Sequence, residues 1–221
     1  MAVAELQEDT IAELLDQLGG IPPHRVLLKP TPGTATEEDV LKALAQPRKR
    51  ICELIDGVLV EKDMGTTEGY LGGLLFRRMA QFAEDEKDLG LVFPGDAHIR
   101  LRPDLIRVPD VSFVPWERIP NGELPNDPIA SLAPELAAEI ITPNNTKREI
   151  DQKLVDYFAV GCKLAWIIDP ETKTAKVYTS AKRFKELDET GTLDGGKVLP
   201  GFKLSLADLF AAPKRRKKKP R

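Results

Sequence analysis

The sequence predicts an α/β fold in which helices flank one mixed β-sheet. Short apolar segments typical of strands alternate with amphipathic segments that have helical spacing. The 221 residues suffice for one domain, and 42% hydrophobic with 30% charged residues is a typical globular composition. No apolar run approaches the roughly 18 residues that a membrane span needs.

The prediction for residues 1–36 is a short helix followed by a proline-rich linker. Residues 4–18 carry apolar side chains at helical spacing. Residues 21–36 contain four prolines, which favour an extended chain. Thr36 then begins a helix with a capping-box pattern, so the compact domain is predicted to cover residues 37–210.

Within this domain, strand and helix signals follow one another along the chain. Asp56-Gly57 stands between two apolar segments, which is a strong signal for a β-hairpin. Residues 115–134 form a loop too long for a turn, and such a loop is expected to border a functional site. Helices are predicted over 68–86 and from Thr146 to about Val160, and strands over 91–93, 97–101, 109–114, 136–141, 165–168 and 175–178.

The net charge of −3 hides a strong asymmetry. Residues 214–221 carry seven Lys or Arg and no acid, whereas residues 1–213 hold 25 basic and 35 acidic residues. Blocks of like charge are typically disordered, so residues 211–221 are predicted to be a basic, disordered tail. Such a tail either binds phosphates non-specifically or only aids solubility, and its composition does not distinguish the two.

Cysteine and histidine are too scarce for several classes of site. Cys52 and Cys162 form neither a disulfide framework nor a metal-binding CxxC pair, and two histidines leave little room for a zinc site. The N-terminus lacks the basic and apolar regions of a secretory signal. We therefore expect a cytoplasmic protein whose chemistry uses carboxylates, lysine and a hard metal ion.

Three carboxylates interrupt predicted strands. Glu53 opens the first hairpin strand, Asp110 heads an apolar strand, and Glu139 lies inside another. A buried carboxylate is costly unless it is paired, protonated or bound to a metal. One such glutamate is most simply a solvent-facing residue of an edge strand. Asp110 and Glu139 would come together if their strands are adjacent in the sheet. Three carboxylates, without competing cysteine or histidine, favour Mg²⁺ or Mn²⁺ bound through oxygen.

Lys153 is a candidate cation beside these acids. It lies at the margin of the apolar face of the helix that begins at Thr146. Spacing alone allows an ordinary surface pair with Glu149, four residues earlier. It equally allows the ammonium to lie over the carboxylates, near a phosphate or an attacking water.

Four stretches of the chain resemble a known family. They are similar, in the same order, to segments of the Uma-type restriction endonucleases, a family formerly listed as a domain of unknown function. The stretches are residues 52–62, 108–120, 133–161 and 164–178. That family belongs to the PD-(D/E)XK nuclease superfamily, so the resemblance implies a restriction-endonuclease-like core. It covers roughly residues 37–180.

The resemblance also implies a set of site residues. Asp110 matches the acid of the PD element, Glu139 the acid of the (D/E)XK element, and Glu53 the family's acid in the first hairpin. Isoleucine stands at 141, where a strict (D/E)XK pattern has lysine. Lys153 matches the lysine that family members carry on the following helix instead.

The implied function is metal-dependent endonucleolytic hydrolysis of DNA. Asp110 and Glu139 would hold Mg²⁺ or Mn²⁺, with the backbone carbonyl of Ile140 as a further ligand. Glu53 would bind the ion through water or a second ion. Lys153 would orient the attacking water or stabilise the transition state. The expected partner is DNA, with no membrane involved, and the protein acts as a monomer or a homodimer.

Two other functions deserve comparison. A nuclease fold that no longer cuts, and serves as a DNA-binding or interaction module, is favoured by Ile141 at the in-line lysine position. As a further departure from the family, Glu68, Gly69 and Tyr70 stand where many relatives carry a histidine. A two-carboxylate glycosidase fits poorly, because a sugar cleft needs aromatic walls and the chain is only 6% aromatic.

Overall fold

The computed structural model describes residues 10–211. The basic tail and the first part of the predicted N-terminal helix lie outside this range. The helices are α1 (Ile11–Gln17), α2 (Glu37–Ala45), α3 (Thr66–Ala80), α4 (Lys147–Ala159) and α5 (Leu206–Leu209). The strands are β1 (Cys52–Ile55), β2 (Val58–Glu61), β3 (Gly90–Pro94), β4 (Ile99–Arg102), β5 (Leu105–Arg107), β6 (Val111–Pro115), β7 (Leu136–Ile140), β8 (Leu164–Asp169), β9 (Thr174–Ser180), β10 (Arg183–Leu187), β11 (Thr192–Asp194) and β12 (Lys203–Ser205).

The central feature is a six-stranded mixed sheet in the order β10-β9-β8-β7-β6-β3. Its strands pair antiparallel except for β7 and β8, which run parallel. A parallel pair needs a long crossover, and α4 supplies it. Apolar residues of α3 and α5 pack with Trp166 against one side of this sheet, while α4 packs through Ile150 and Leu154 against Ala165 and Ile167. The predicted mixed sheet flanked by helices is confirmed.

The hairpin belongs to a second sheet. Asp56 and Gly57 both have positive φ, at 46° and 79°, as the predicted hairpin turn requires. However, β1 pairs with β5 in a four-stranded antiparallel sheet of order β2-β1-β5-β4. The sequence predicts one sheet because β5 has only three residues and no periodicity to reveal it.

Residues 10–36 pack against the outer edge of this second sheet. The backbone N–H of Leu27 donates to the carbonyl of Leu59 at 2.9 Å, and Val26 forms a β-bridge with Val60. Leu14, Ile21 and Val26 are buried in one apolar cluster with Val58 and Val60. The segment predicted as a helix and linker therefore contributes its own side chains to the apolar interior.

Two further differences concern element bounds. The helix predicted over 68–86 begins at Thr66 and continues after Ala80 as a π-helical segment, Gln81–Glu86. The long loop 115–134 contains two short 3₁₀ turns, and Ala130 within it forms a β-bridge with Ile99. Between residues 10 and 211, each helix is too short or too polar to cross a bilayer.

Candidate active site

Adjacent strands bring Asp110 and Glu139 together. Val111 of β6 pairs with Ala138 of β7 in an antiparallel register, which places Asp110 opposite Glu139. Directly opposed residues of an antiparallel pair project to the same face of the sheet. The backbone N–H of Ile140 donates to Asp110 Oδ2 at 2.6 Å, so the Asp110 carboxylate lies against the peptide after Glu139. The predicted adjacency of the strands of Asp110 and Glu139 is therefore present, whereas the strand of Glu53 belongs to the second sheet.

Glu139 is buried and receives two donors from α4. The Lys153 ammonium lies 3.1 Å from Glu139 Oε2, and the Tyr157 hydroxyl donates to Glu139 Oε1. Lys153 and Tyr157 are four residues apart, so they share one face of the helix. Lys153 is only 3% exposed. Of the two placements that spacing allowed for Lys153, the structure therefore shows the one over the carboxylates.

Glu53 approaches the same lysine from the second sheet. Lys153 Nζ is 3.1 Å from Glu53 Oε1, so a single ammonium joins carboxylates from β1 and β7. The other oxygen of Glu53 lies 2.8 Å from Arg107 Nη1. The N–H of Val108 also donates to Glu53, at 3.2 Å. Glu53 is thus connected to Glu139 through Lys153.

Arg107 extends the charge network to a second acid of α4. It is the last residue of β5 and is almost fully buried, with Nε 2.9 Å from Asp156 Oδ2. Gln152 donates to the other oxygen of Asp156 at 2.9 Å. Because Arg107 contacts both Glu53 and Asp156, it ties the second sheet to the helix that carries Lys153.

Electrostatics differ among the buried groups. Burial alone would raise the pKa of Glu53, but the charges of Lys153 and Arg107 outweigh it and hold this pKa below its ordinary value. Burial would lower the pKa of Lys153, but Glu139 and Glu53 outweigh it and raise this pKa. Burial raises the pKa of Glu139, and Asp110 adds to the effect, while Lys153 offsets part of it. Of the two glutamates, Glu139 is therefore the one that takes up a proton more readily.

The cluster carries an unbalanced negative charge. Its carboxylates outnumber its basic side chains by one when all are ionised, the acids being Glu53, Asp110, Glu139 and Asp156 and the bases Lys62, Arg107 and Lys153. A proton on Glu139 would restore neutrality, whereas a bound divalent ion would change the net charge from minus one to plus one. The excess of acidic side chains therefore attracts positive charge to the cluster.

Asp110 is the part of the cluster that borders open space. Its side chain is 12% exposed, and it borders a cavity of about 270 Å³. Met64, Glu68 and Gly69 contribute to the cavity wall from the start of α3 and the segment before it. A ligand that enters this cavity meets Asp110 before it meets Glu139.

The oxygen atoms around Asp110 and Glu139 are of the type that a hard divalent ion prefers. Among residues 10–211, no three Asp, Glu, His or Cys side chains converge into a ready-made metal site. Two carboxylates do converge, Asp110 and Glu139, and the backbone of Ile140 lies against Asp110. Carboxylate and carbonyl oxygens suit Mg²⁺ and Mn²⁺. Both oxygens of Glu53 are already engaged by Lys153, Arg107 and a backbone N–H.

Sequence reasoning missed four residues of the cluster and its contacts, namely Lys62, Arg107, Asp156 and Tyr157. Lys62 directly follows β2, and its ammonium lies 2.8 Å from Asp110 Oδ1. Arg107 ends a strand that gave no recognisable pattern. Tyr157 gave a usable signal, because a polar hydroxyl four residues after Lys153 must share its helix face. No comparable local signal pointed to Lys62 or Arg107.

A buried ion pair links residues 10–36 to α4 beside the cluster. Arg25 Nη2 lies 2.7 Å from Glu149 Oε1, and Nη1 donates to Glu149 Oε2 at 2.9 Å. Arg25 Nε donates to the carbonyl of Glu61 at 3.0 Å. Thr146, the N-cap of α4, donates through its hydroxyl to the carbonyl of Gly19 at 2.6 Å. The start of the lysine-bearing helix is therefore fixed by the segment that precedes the predicted domain.

Comparison with known proteins gives a family and a fold. The model of the Uma2 family, described as "Putative restriction endonuclease", matches residues 38–207. A similar solved structure is described as "a putative nuclease belonging to DUF820 from Anabaena variabilis ATCC 29413". It is 23% identical, with a TM-score of 0.67 over 79% of this chain and 97% of that chain. Identity at this level shows a shared fold. A search of curated proteins finds no match.

Proposed function

Because the chain belongs to the Uma2 family, we propose that it is a metal-dependent endonuclease that hydrolyses DNA phosphodiester bonds. The observation that carries this proposal is the pairing of Asp110 and Glu139 on β6 and β7, with the Lys153 ammonium 3.1 Å from Glu139. Two acids and a lysine in one cluster are the elements of PD-(D/E)XK chemistry.

We assign Asp110 and Glu139 as side-chain ligands of Mg²⁺ or Mn²⁺, with the Ile140 carbonyl as a backbone ligand. Such an ion supplies an activated water and neutralises charge that develops on the phosphate. Asp110 borders the cavity and so meets the substrate side of the site. Glu53 acts on the metal site indirectly, since Lys153 lies between it and Glu139.

The remaining buried groups hold the reacting groups in position. Lys153 keeps its charge because Glu53 and Glu139 both contact its ammonium, and this charge is available to orient a water or a phosphate oxygen. Arg107 keeps Glu53 ionised and fixed. Tyr157 donates to Glu139 and so restricts the rotation of that carboxylate.

DNA is the proposed substrate, and the basic tail is proposed to assist its binding. Residues 1–213 are acidic and repel a phosphate backbone, whereas residues 214–221 carry seven positive charges. Each phosphate that the tail neutralises releases counterions, so its contribution weakens as salt rises. Cys52 and Cys162 are buried free thiols, which suits the reducing cytoplasm.

A plasmid assay tests the nuclease proposal. We expect the full chain with Mg²⁺ or Mn²⁺ to nick or cut supercoiled DNA, and Asp110→Ala and Glu139→Ala each to lose at least about a hundredfold in rate. Glu186→Ala, an exposed glutamate on the edge strand β10, is the matched control and should retain full activity. Full activity in both site variants would refute the assignment.

A second candidate is a nuclease fold that binds DNA without cutting it. One observation favours it: Asp110 and Glu139 already have internal cations as partners, Lys62 and Lys153. Calorimetry with Mg²⁺ and Mn²⁺ separates the two functions. Ion binding that disappears in Glu139→Gln supports the enzyme, whereas no binding at millimolar ion supports the inert module.

A further inference from the structure

Lys62 places a buried ammonium on the carboxylate proposed to hold the metal ion. Its Nζ lies 2.8 Å from Asp110 Oδ1, and its side chain is only 4% exposed. The same Nζ donates to the carbonyl of Val108 at 2.7 Å and to that of Gly95 at 3.3 Å. Lys62 comes from the end of β2, while its three acceptors lie on either side of β4 and β5.

These contacts resemble the surroundings of a bound cation. The three oxygens are one carboxylate and two peptide carbonyls, which is a donor set of the kind that hard cations take. The ammonium donates hydrogen bonds to two carbonyls and forms an ion pair with Asp110, so the side chain is held in one place. Gly95 borders the cavity together with Asp110, so this oxygen cluster lies at the cavity wall.

The two lysines of the site divide its carboxylates between them. Lys153 serves Glu53 and Glu139 in the interior, and Lys62 serves Asp110 at the cavity. Lys62 therefore neutralises the acid that an incoming ion meets first. Two positive charges beside one carboxylate repel each other, so Lys62 and a divalent ion compete for Asp110.

On the basis of the proposed function, we propose that Lys62 is the resident cation of Asp110 and regulates ion binding. In the protein without a divalent ion, Lys62 holds the Asp110 carboxylate beside β7 and neutralises part of the negative charge of the cluster. A divalent ion binds at the cost of displacing the ammonium from Asp110. Lys62 thereby acts as a positioning residue that keeps the affinity of the site for free metal ions low.

Calorimetric titration of the full chain with Mn²⁺ tests this inference. Lys62→Met removes the charge but keeps a long side chain, and we expect its Kd for Mn²⁺ to be roughly tenfold lower than that of the wild type. Lys62→Arg keeps the charge and should retain weak binding. Lys163→Met is the matched control, because Lys163 also pairs with one acid, Glu135, but on an exposed surface away from the cluster.

Thermal unfolding supplies a second measurement. With chelator present, Lys62→Met should unfold at a lower temperature than the wild type, and saturating Mn²⁺ should raise its midpoint by more than it raises that of the wild type. A purely structural lysine would lower the midpoint without improving ion binding. If Lys62→Met does not fold, Lys62→Gln removes the same charge and replaces it in both measurements.

The possible failures are distinguishable. If the wild type binds Mn²⁺ and the charge-removing variant binds it no better, the inference is overturned while the proposed nuclease function stands. If neither protein binds Mn²⁺, both are overturned. Tighter binding in Lys62→Met, with weak binding kept in Lys62→Arg, supports the inference.

Discussion

The Lys153 ammonium lies 3.1 Å from the Glu139 carboxylate, although the two residues belong to different elements and isoleucine stands at 141. The crossover from β7 through α4 explains this contact. A helix that leaves the end of β7 and packs back on the sheet brings its own side chains over that strand. A lysine on this helix can therefore reach the place that an in-line lysine would take.

Lys153→Met should destabilise the protein strongly. The substitution leaves Glu53 and Glu139 buried without their shared cation, and removal of one partner of a buried ion pair typically costs about 3–5 kcal/mol. Glu139→Gln in the same chain should recover part of the loss, because Glu139 then no longer carries a charge without its ion-pair partner, while Glu53 keeps Arg107. Urea denaturation of the wild type, both single variants and the double variant gives the coupling free energy.

Lys147→Met is the control for this cycle. Lys147 lies one and a half helical turns before Lys153 and pairs with Asp151 in solvent, so its loss should leave the free energy of unfolding almost unchanged. Strictly additive effects of Lys153→Met and Glu139→Gln would show that the two side chains are not coupled. The same outcome would remove the physical basis for Lys153 as a functional residue.

The sequence was informative where local chemistry determines structure. The Asp56-Gly57 turn, the strands around Asp110 and Glu139, and α4 each follow from residues within a short window. The resemblance to Uma-type proteins then pointed to Lys153, which spacing alone left undecided. The turn, the strands and α4 share one property, which is that neighbouring residues in the sequence determine their conformation.

Residues that reach the cluster through long-range pairing were not predictable. Arg107 becomes buried because β5 pairs with β1, and no periodicity marks a strand of three residues. Lys62 and Arg25 read as ordinary surface charges until the sheet and the N-terminal segment pack around them. Their ion pairs span 48 and 124 residues of sequence, beyond the reach of helix or strand patterns.

Arg25→Met should destabilise the chain and loosen its N-terminal segment. Arg25 and Glu149 are 4% and 5% exposed and form a bidentate pair, so loss of the guanidinium leaves Glu149 buried without its cation. We expect a loss of about 3 kcal/mol in the free energy of unfolding and faster proteolysis within residues 10–36. Denaturation with urea and limited proteolysis measure the two effects.

Arg148→Met provides the comparison for Arg25. Arg148 also links this segment to α4, through Asp16, but both side chains are largely exposed, at 58% and 71%. Solvent screens such a pair, so its loss should change stability little. Equal behaviour of the two variants would show that burial does not distinguish these contacts, and that Arg25 does not anchor the segment.

The pH dependence of stability should identify Glu139 as a proton-binding group. Its pKa is raised from the ordinary 4.5, chiefly by burial, so the folded chain holds this proton more tightly than the unfolded chain does. The groups that face it are Lys153 and Tyr157 from α4, Asp110 before β6, Lys62 after β2 and Glu53 from β1. The pKa shifts of Lys153 and Tyr157 are upward and that of Glu53 is downward, so these three titrate outside the window just above 4.5.

The contribution of Glu139 to stability is therefore fully present below its unfolded pKa and is lost as pH rises through its folded pKa. Glu139→Gln cannot titrate at this position, so the stabilisation of the wild type relative to the variant should decrease as pH rises above about 4.5. Urea denaturation across this range measures the difference. Mn²⁺ affinity should increase over the same interval, because the ion requires the ionised carboxylate. Parallel stability curves for the two proteins would show that Glu139 is ionised throughout and that its burial does not control ion binding.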